Sequence, residues 1–206
     1  MNRLYALITS TLLLLSTPLQ ADPTAELRSR LDAMTSLQGE FTQVLIDMDG
    51  EVLEESSGDF AMARPGKFDW HTREPFEQRL VSDHESIWLY DPDLMQVTVR
   101  EFDEELQDTP ALILSDELTA LNEQFEITHA QTDEGWDAFR LEPKDDDSLF
   151  AALVLTFDGD LLREIRMDDN LDQTTRFTLS DLKRNESIDD SRFTFEVPEG
   201  VDVLVD

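Results

Sequence analysis

The chain contains no cysteine among its 206 residues. That excludes a disulfide framework, a thiol nucleophile and a lipid-anchored cysteine after a leader. The core must hold by burial alone, and a domain of about 185 residues buries enough apolar surface to do so. Cations are scarce: sixteen Lys and Arg stand against forty-seven Asp and Glu, for a formal charge of −31. Such a surface repels nucleic acid and anionic lipid headgroups. It suits a saline setting, where screening shortens repulsion to a few ångströms, or a cationic partner, and composition leaves both open. Histidine occurs three times, at His71, His84 and His129, without metal-ligand spacing.

Catalytic signatures are missing as well. There is no Gly-x-Ser-x-Gly elbow, phosphate loop or dinucleotide fingerprint. Asp168-Asp169-Asn170-Leu171-Asp172 begins like a calcium loop, but Gln173 stands where the Gly belongs and Leu179 where the bidentate Glu belongs. Asn185-Glu186-Ser187 matches the glycosylation sequon and reads as a chance triplet. Carboxylates are too abundant for any pair to mark acid–base catalysis. No metal, no cofactor and no enzymatic activity are expected.

Long apolar runs are absent too. The one apolar stretch, Leu4 to Leu15, is shorter than the roughly 20 residues a membrane span requires. With Arg3 before it and Leu19-Gln20-Ala21 after it, residues 1–21 read as a secretory signal peptide cleaved after Ala21. The alternative is a buried N-terminal helix. Residues 22–206 then form a single exported domain, expected to be monomeric and without stable membrane association.

What is present is mostly alternation. Asp22-Pro23 starts a helix, and Leu27, Leu31 and Met34 recur at i, i+4 and i+7, predicting an amphipathic helix over residues 23–37. From Gly39 onward the period is two. Phe60 and Met62 alternate with polar or small residues, as do Met95, Val97 and Val99. So do Phe125 and Ile127, then Leu153, Leu155 and Phe157, then Phe193, Phe195 and Val197. Turn chemistry separates these runs, and Asp158-Gly159 is the clearest hairpin. Between Thr109 and Leu121 the alternation breaks; Pro110 suits a first helical turn and Ser115 caps a second short helix. The order predicts one large, curved antiparallel sheet with a few helices against one face. Lys144-Asp145-Asp146-Asp147-Ser148 reads as a solvated loop.

A set of short motifs then appears in order. They are Leu37-Gln38-Gly39-Glu40-Phe41-Thr42-Gln43, Ser57-Gly58-Asp59-Phe60, Arg64-Pro65-Gly66-Lys67-Phe68-Asp69-Trp70 and Pro75. Leu80-Val81-Ser82-Asp83, Ile87-Trp88-Leu89-Tyr90-Asp91-Pro92, Gln96-Val97, Thr109-Pro110 and Leu141-x-Pro143 come next, and the series closes on Phe193-Thr194-Phe195-x-Val197-Pro198-x-Gly200-Val201-Asp202. In this the chain resembles the LolA family of periplasmic outer-membrane lipoprotein carriers across nearly all of residues 22–206. One departure is Asp83-His84, where the family usually has Asp-Gly, which puts that turn's geometry in question.

The resemblance implies an α+β fold, mainly antiparallel β: an unclosed β-barrel covered by a lid of short α-helices, with an amphipathic N-terminal helix. It implies a periplasmic chaperone that takes lipoproteins from an inner-membrane, ATP-driven ABC release complex and hands them to an outer-membrane receptor. Three acyl chains gain on the order of 30 kcal/mol by leaving water, at about 0.8 kcal/mol per methylene. A carrier must therefore shelter them, yet hold them less favourably than the next site.

Under the resemblance, Phe60, Met62, Phe68, Trp70, Leu80, Trp88, Met95, Val97 and Leu155 gain a second reading as acyl-chain cavity or entrance, Phe68 and Trp70 foremost; pattern alone reads them as dry core. Arg64 is the family's matching arginine, implied to latch the lid of the empty carrier. The lid residues would be Pro110, Leu112, Ile113, Leu114, Leu118 and Leu121. Competing readings are a lipoprotein- or lipid-sensing periplasmic module on the same scaffold and a secreted hydrolase.

Overall fold

A computed structural model describes residues 22–102, 121–145, 148 and 150–205. Helix α1 spans Pro23–Asp32. Its start follows the sequence expectation: the Thr24 N–H donates to Asp22 Oδ1 at 3.0 Å, and proline occupies the first turn. Leu27, Leu31 and the following Met34 are all buried. The helix stops at Asp32, short of the expected residue 37, because Ser36 already begins a strand. Asn185 divides the two elements. Its Oδ1 accepts from the Thr35 N–H at 2.8 Å and its Nδ2 donates to Ala33 O at 2.8 Å, which satisfies backbone groups at the junction.

The strands are β1 (Ser36–Ile46), β2 (Val52–Ala63), β3 (Lys67–Glu74), β4 (Gln78–Asp83), β5 (Ser86–Asp91) and β6 (Gln96–Glu101). A short helix α2 (Leu121–Gln124) leads into β7 (Phe125–Gln131), β8 (Asp137–Pro143), β9 (Phe150–Asp158), β10 (Leu161–Asp169) and β11 (Thr174–Arg184). A 3-10 turn (Asp190–Phe193) precedes β12 (Asp202–Val205). All twelve join one sheet in the order β12-β6-β5-β4-β3-β2-β1-β11-β10-β9-β8-β7, antiparallel except for the β12–β6 pair. Its end strands, β12 and β7, do not pair, so the sheet is unclosed. The expected Asp158-Gly159 hairpin joins β9 to β10.

One face of this sheet carries the core. Phe41, Phe60, Met62, Phe68, Phe139, Leu155, Phe157, Ile165 and Leu179 cluster there with Leu27 and Leu31 of α1. Leu121 joins the same cluster. The expected signal peptide over residues 1–21 and the remainder of the expected lid, including Pro110, Leu112, Ile113, Leu114 and Leu118, lie outside the described residues.

Two local expectations are corrected. Phe193, Phe195 and Val197 do not form a strand: the Ser191 N–H donates to Asp189 Oδ1 at 2.9 Å and turns the chain into the 3-10 turn, and Pro198 has no N–H for a ladder. The Asp83-His84 turn stays tight without glycine. His84 takes φ +83°, and Asp83 Oδ1 accepts from the N–H groups of Glu85 and Ser86, both at 2.9 Å. The His84 ring then covers Gly66, where an added Cβ would come within 2.3 Å of its Nδ1.

Candidate apolar binding face

Strand register places the candidate residues. Partners across an antiparallel ladder share a face, so Phe60, Trp70, Leu80 and Leu89 form one row across β2, β3, β4 and β5 on the core side. Exposure rises along it. Phe60 is 3% exposed, Trp70 and Leu80 are half-buried, and Leu89 reaches 37%. The next row toward the Arg64 end (Met62, Phe68, Ser82 and Ile87) is buried throughout.

Aromatic packing fixes the inner end of the open row. Trp70 stacks on Phe41 with ring centroids 4.1 Å apart and meets Phe60 at 5.5 Å and Phe177 edge-on at 5.4 Å. Phe41 lies opposite Gly58, whose missing side chain makes room: a Cβ there would sit 2.9 Å from Phe41 Cε1. The tighter constraint at this motif glycine is backbone, since the same Cβ would meet the His71 carbonyl oxygen at 1.9 Å.

Four sequence candidates stand elsewhere. Trp88 pairs with Val81 and Val99, and Val97 with Tyr90, all on the outer face of the sheet. Met95 is an exposed turn residue with φ +52°. Leu155 does face the core but sits in the other half, between Phe139 and Ile165, fully buried. The reason is phase. Ile87-Trp88-Leu89-Tyr90 is apolar throughout, so alternation cannot tell Trp88 from Leu89; the row needs Leu89, which sequence reasoning passed over along with Phe177. Phe41, like Leu89, lies within one of the motifs but was not among the candidate residues.

The outer face is covered by the C-terminal segment instead. Phe193 is buried there, and the Phe195 ring lies 5.4 Å from Tyr90. Arg192 fastens the segment. It donates from Nη2 to Asp59 Oδ2 at 2.6 Å and from Nε to Asp69 Oδ2 at 3.0 Å. Asp69 is only 3% exposed and also accepts from Arg79 Nε at 2.7 Å, so its buried charge is shared between two guanidinium groups.

Helix α1 is fastened by a second arginine. Arg30 Nη2 donates to Glu26 Oε1 at 2.8 Å and to Asp137 Oδ2 at 2.6 Å; Nη1 donates to Gly159 O. Its guanidinium lies 5.5 Å from the Phe139 ring centroid and 5.6 Å from that of Phe157. Burial pushes the Asp137 carboxyl up, but hydrogen bonds from His129 and Arg30 outweigh it and hold Asp137 below the usual carboxylate range. Glu26, His129 and Asp137 have potential metal-ligand atoms within 4.8 Å of one another. Arg30 already binds both carboxylates, so the cluster reads as an ion-pair knot.

Arg64 follows β2 directly and is half-buried, with its N–H donating to Thr35 O at 3.0 Å. The segment expected to meet its side chain, residues 109–121, lies outside the described residues except for Leu121.

A family model described as "Outer membrane lipoprotein carrier protein LolA" matches residues 32–196. An outer-membrane lipoprotein carrier protein from Azotobacter vinelandii is 42% identical over 206 residues, covering 99% of each chain. The corresponding protein of Chromohalobacter salexigens is 42% identical over 178 residues, covering 86% of this chain and 84% of its own. Among solved structures, an uncharacterized conserved protein from Thermus thermophilus matches with a TM-score of 0.58 at 13% identity, over 90% of this chain and 100% of that one. A crystal structure of MucB matches with a TM-score of 0.51 at 14% identity, over 91% and 67%. At such identities the structural likeness shows the fold alone.

Proposed function

This chain belongs to the LolA family of outer membrane lipoprotein carriers, and on that premise we propose that it ferries lipoproteins by sheltering their acyl chains against the row Phe60, Trp70, Leu80 and Leu89. The supporting observation is the gradient of exposure along that row. A dry core ends at a boundary; here an aromatic cluster runs outward into half-open apolar surface on the side not covered by the C-terminal segment. An acyl chain laid along it exchanges water for apolar contact at about 25 cal/mol per Å², and Trp70 offers it a rigid, broad face. Residues 22–206 are the mature carrier in this reading, released into the periplasm when residues 1–21 are cleaved. The donor is an inner-membrane ABC release complex and the acceptor an outer-membrane receptor. The role is that of a chaperone, not of a catalyst.

The test is incubation with spheroplasts. A carrier releases newly made lipoproteins as a soluble one-to-one complex; failure to recover that complex with folded protein overturns the reading. Arg64 is assigned the latch. Its five donors suit the orphan carbonyls at the end of a lid helix, bonds that would be given up as acyl chains enter. Arg64→Leu is expected to keep the fold and the binding of cargo but to impair handover to the receptor. Unimpaired transfer by that variant removes the latch role.

A further inference from the structure

The loops joining β1 to β2 and β10 to β11 are neighbours. Ile46 pairs with Val52 on one side and with Thr174 on the other. Pairing between β2 and β3 stops at Ser57, so among the described strands residues 52–56 pair with β1 alone; the two hairpin ends lie together as an arm beyond β3, backed on its other side by β9, whose Phe150 pairs with Asp169. The end of the arm is apolar and exposed: Met48 72%, Val52 59%, Leu53 54% and Leu171 73%. Single exposed apolar residues are ordinary, but four on two adjacent hairpin ends are a patch.

Both loops are held by the same device. Asp47 Oδ1 accepts from the N–H groups of Asp49 and Glu51 at 2.9 and 2.8 Å, and the Asp47 N–H donates to Glu51 O at 3.0 Å. Asp169 Oδ1 accepts from Leu171 and Gln173 N–H groups, both at 2.8 Å, and the Asp169 N–H donates to Gln173 O at 2.9 Å. An aspartate thus ties the amides two and four residues on in each loop. Met48 and Leu171 are held outward on pre-ordered backbone, which lowers the entropy lost when such a surface docks.

The two loops themselves carry one sign of charge, and Arg140 and Arg166 on the strands behind them are already engaged with Asp168. Asp49, Glu51, Glu54, Glu55 and Asp172 surround the patch, and neither residues 46–56 nor residues 168–175 contain a lysine or arginine. A second copy of a chain carrying −31 is repelled, as is an anionic bilayer. We propose that this arm docks a partner protein whose apolar seat is rimmed by lysine and arginine. Resting on the carrier reading, that partner is one of the proteins between which cargo passes. The apolar tips supply the contact energy, and the carboxylates steer the encounter and exclude acidic surfaces.

The triple substitution Met48→Ser, Leu53→Ser, Leu171→Ser tests this, because exposed positions tolerate it without unfolding. Three readouts are compared with wild type: lipoprotein release from spheroplasts, delivery to outer-membrane fragments, and binding of a fluorescent fatty acid by the purified protein. The expected result is a fall of about fivefold or more in release or delivery, with fatty-acid binding unchanged. Glu54→Lys with Glu55→Lys is expected to slow the same step and to flatten its dependence on salt. Wild-type rates in both steps overturn the proposal, as does a parallel loss of fatty-acid binding. Flotation of wild type with phosphatidylethanolamine–phosphatidylglycerol vesicles, lost in the triple variant, would reassign the arm to lipid. A dimer in sedimentation, lost in the variant, would reassign it to self-association. If wild type itself releases no lipoprotein, the carrier reading fails first and the proposal with it. Failure of the variant alone separates the two.

Discussion

The two halves of the sheet are built from similar strands but covered on opposite faces. On β7 to β10, helix α1 lies against the core side, held by Arg30 to Asp137 and Gly159. Phe139, Leu155, Phe157 and Leu162 beneath it are completely buried. On β2 to β6 the described cover lies on the outer side: the 3-10 turn and the residues after it, held by Arg192 to Asp59 and Asp69. The core side of that half keeps Trp70, Leu80 and Leu89 partly open. A strand run of given hydrophobicity becomes dry core or accessible apolar surface according to which face a separate segment covers.

The largest expected effect tests the closed half. Phe139→Ala removes a buried ring that meets Phe157 edge-on and lies beneath Arg30, and should cost about 3–5 kcal/mol in denaturant unfolding. A cost below about 1 kcal/mol would mean the half is loosely packed. Next comes the outer fastening. Arg192→Ala leaves buried Asp69 with Arg79 alone and should cost about 1–3 kcal/mol. Protease cleavage after residue 189 should rise with it, and Arg192→Lys should recover only part, since one ammonium does not span two carboxylates. Unchanged protease resistance would show that Phe193 suffices to hold the segment.

The two faces of the open half are compared by a pair of tryptophans. Trp70→Ala should weaken fatty-acid probe binding about tenfold, or about 1.4 kcal/mol, whereas Trp88→Ala should leave it unchanged. Equal losses would collapse the assignment of faces. The smallest effect concerns pH. The folded state holds Asp137 below its unfolded value, so its contribution is complete above the ordinary carboxylate range near about 4 and fades as pH falls through the lower folded value. Amide exchange in α1 should therefore quicken on acidification before that of β9 and β10, by less than about 1 kcal/mol for this partly exposed pair. Asp137→Asn should remove that pH dependence; its persistence would place the titrating group elsewhere.

Much of this was legible in the chain itself. The Asp22-Pro23 cap, the alternation of Phe60 with Met62 and the Asp158-Gly159 hairpin each encode a local geometry and appear where expected. Errors arose where a feature depended on distant residues. Helix α1 ends early because Asn185, far along the chain, meets its carboxyl end. Trp88 points away from the core because its face is set by register with β4 and β6, and residues 87–90 carry no alternation to read; Val97 lies in a run that does alternate, but register with Tyr90 puts its buried face on the outer side.

The sequence by itself determined the strand and turn order, the absence of thiol chemistry, the acidic surface and, through a chain of short motifs, the family. Those are properties of local dihedral preference, composition and residue identity. Tertiary structure alone decided that Phe60, Trp70, Leu80 and Leu89 form a row opening to solvent, that Arg192 seals the opposite face, and that two Asp-tied loops meet at one acidic, apolar-tipped arm. Each of these joins strands distant in sequence, and only the ladder register, with the segment that covers each face, fixes which side chains meet.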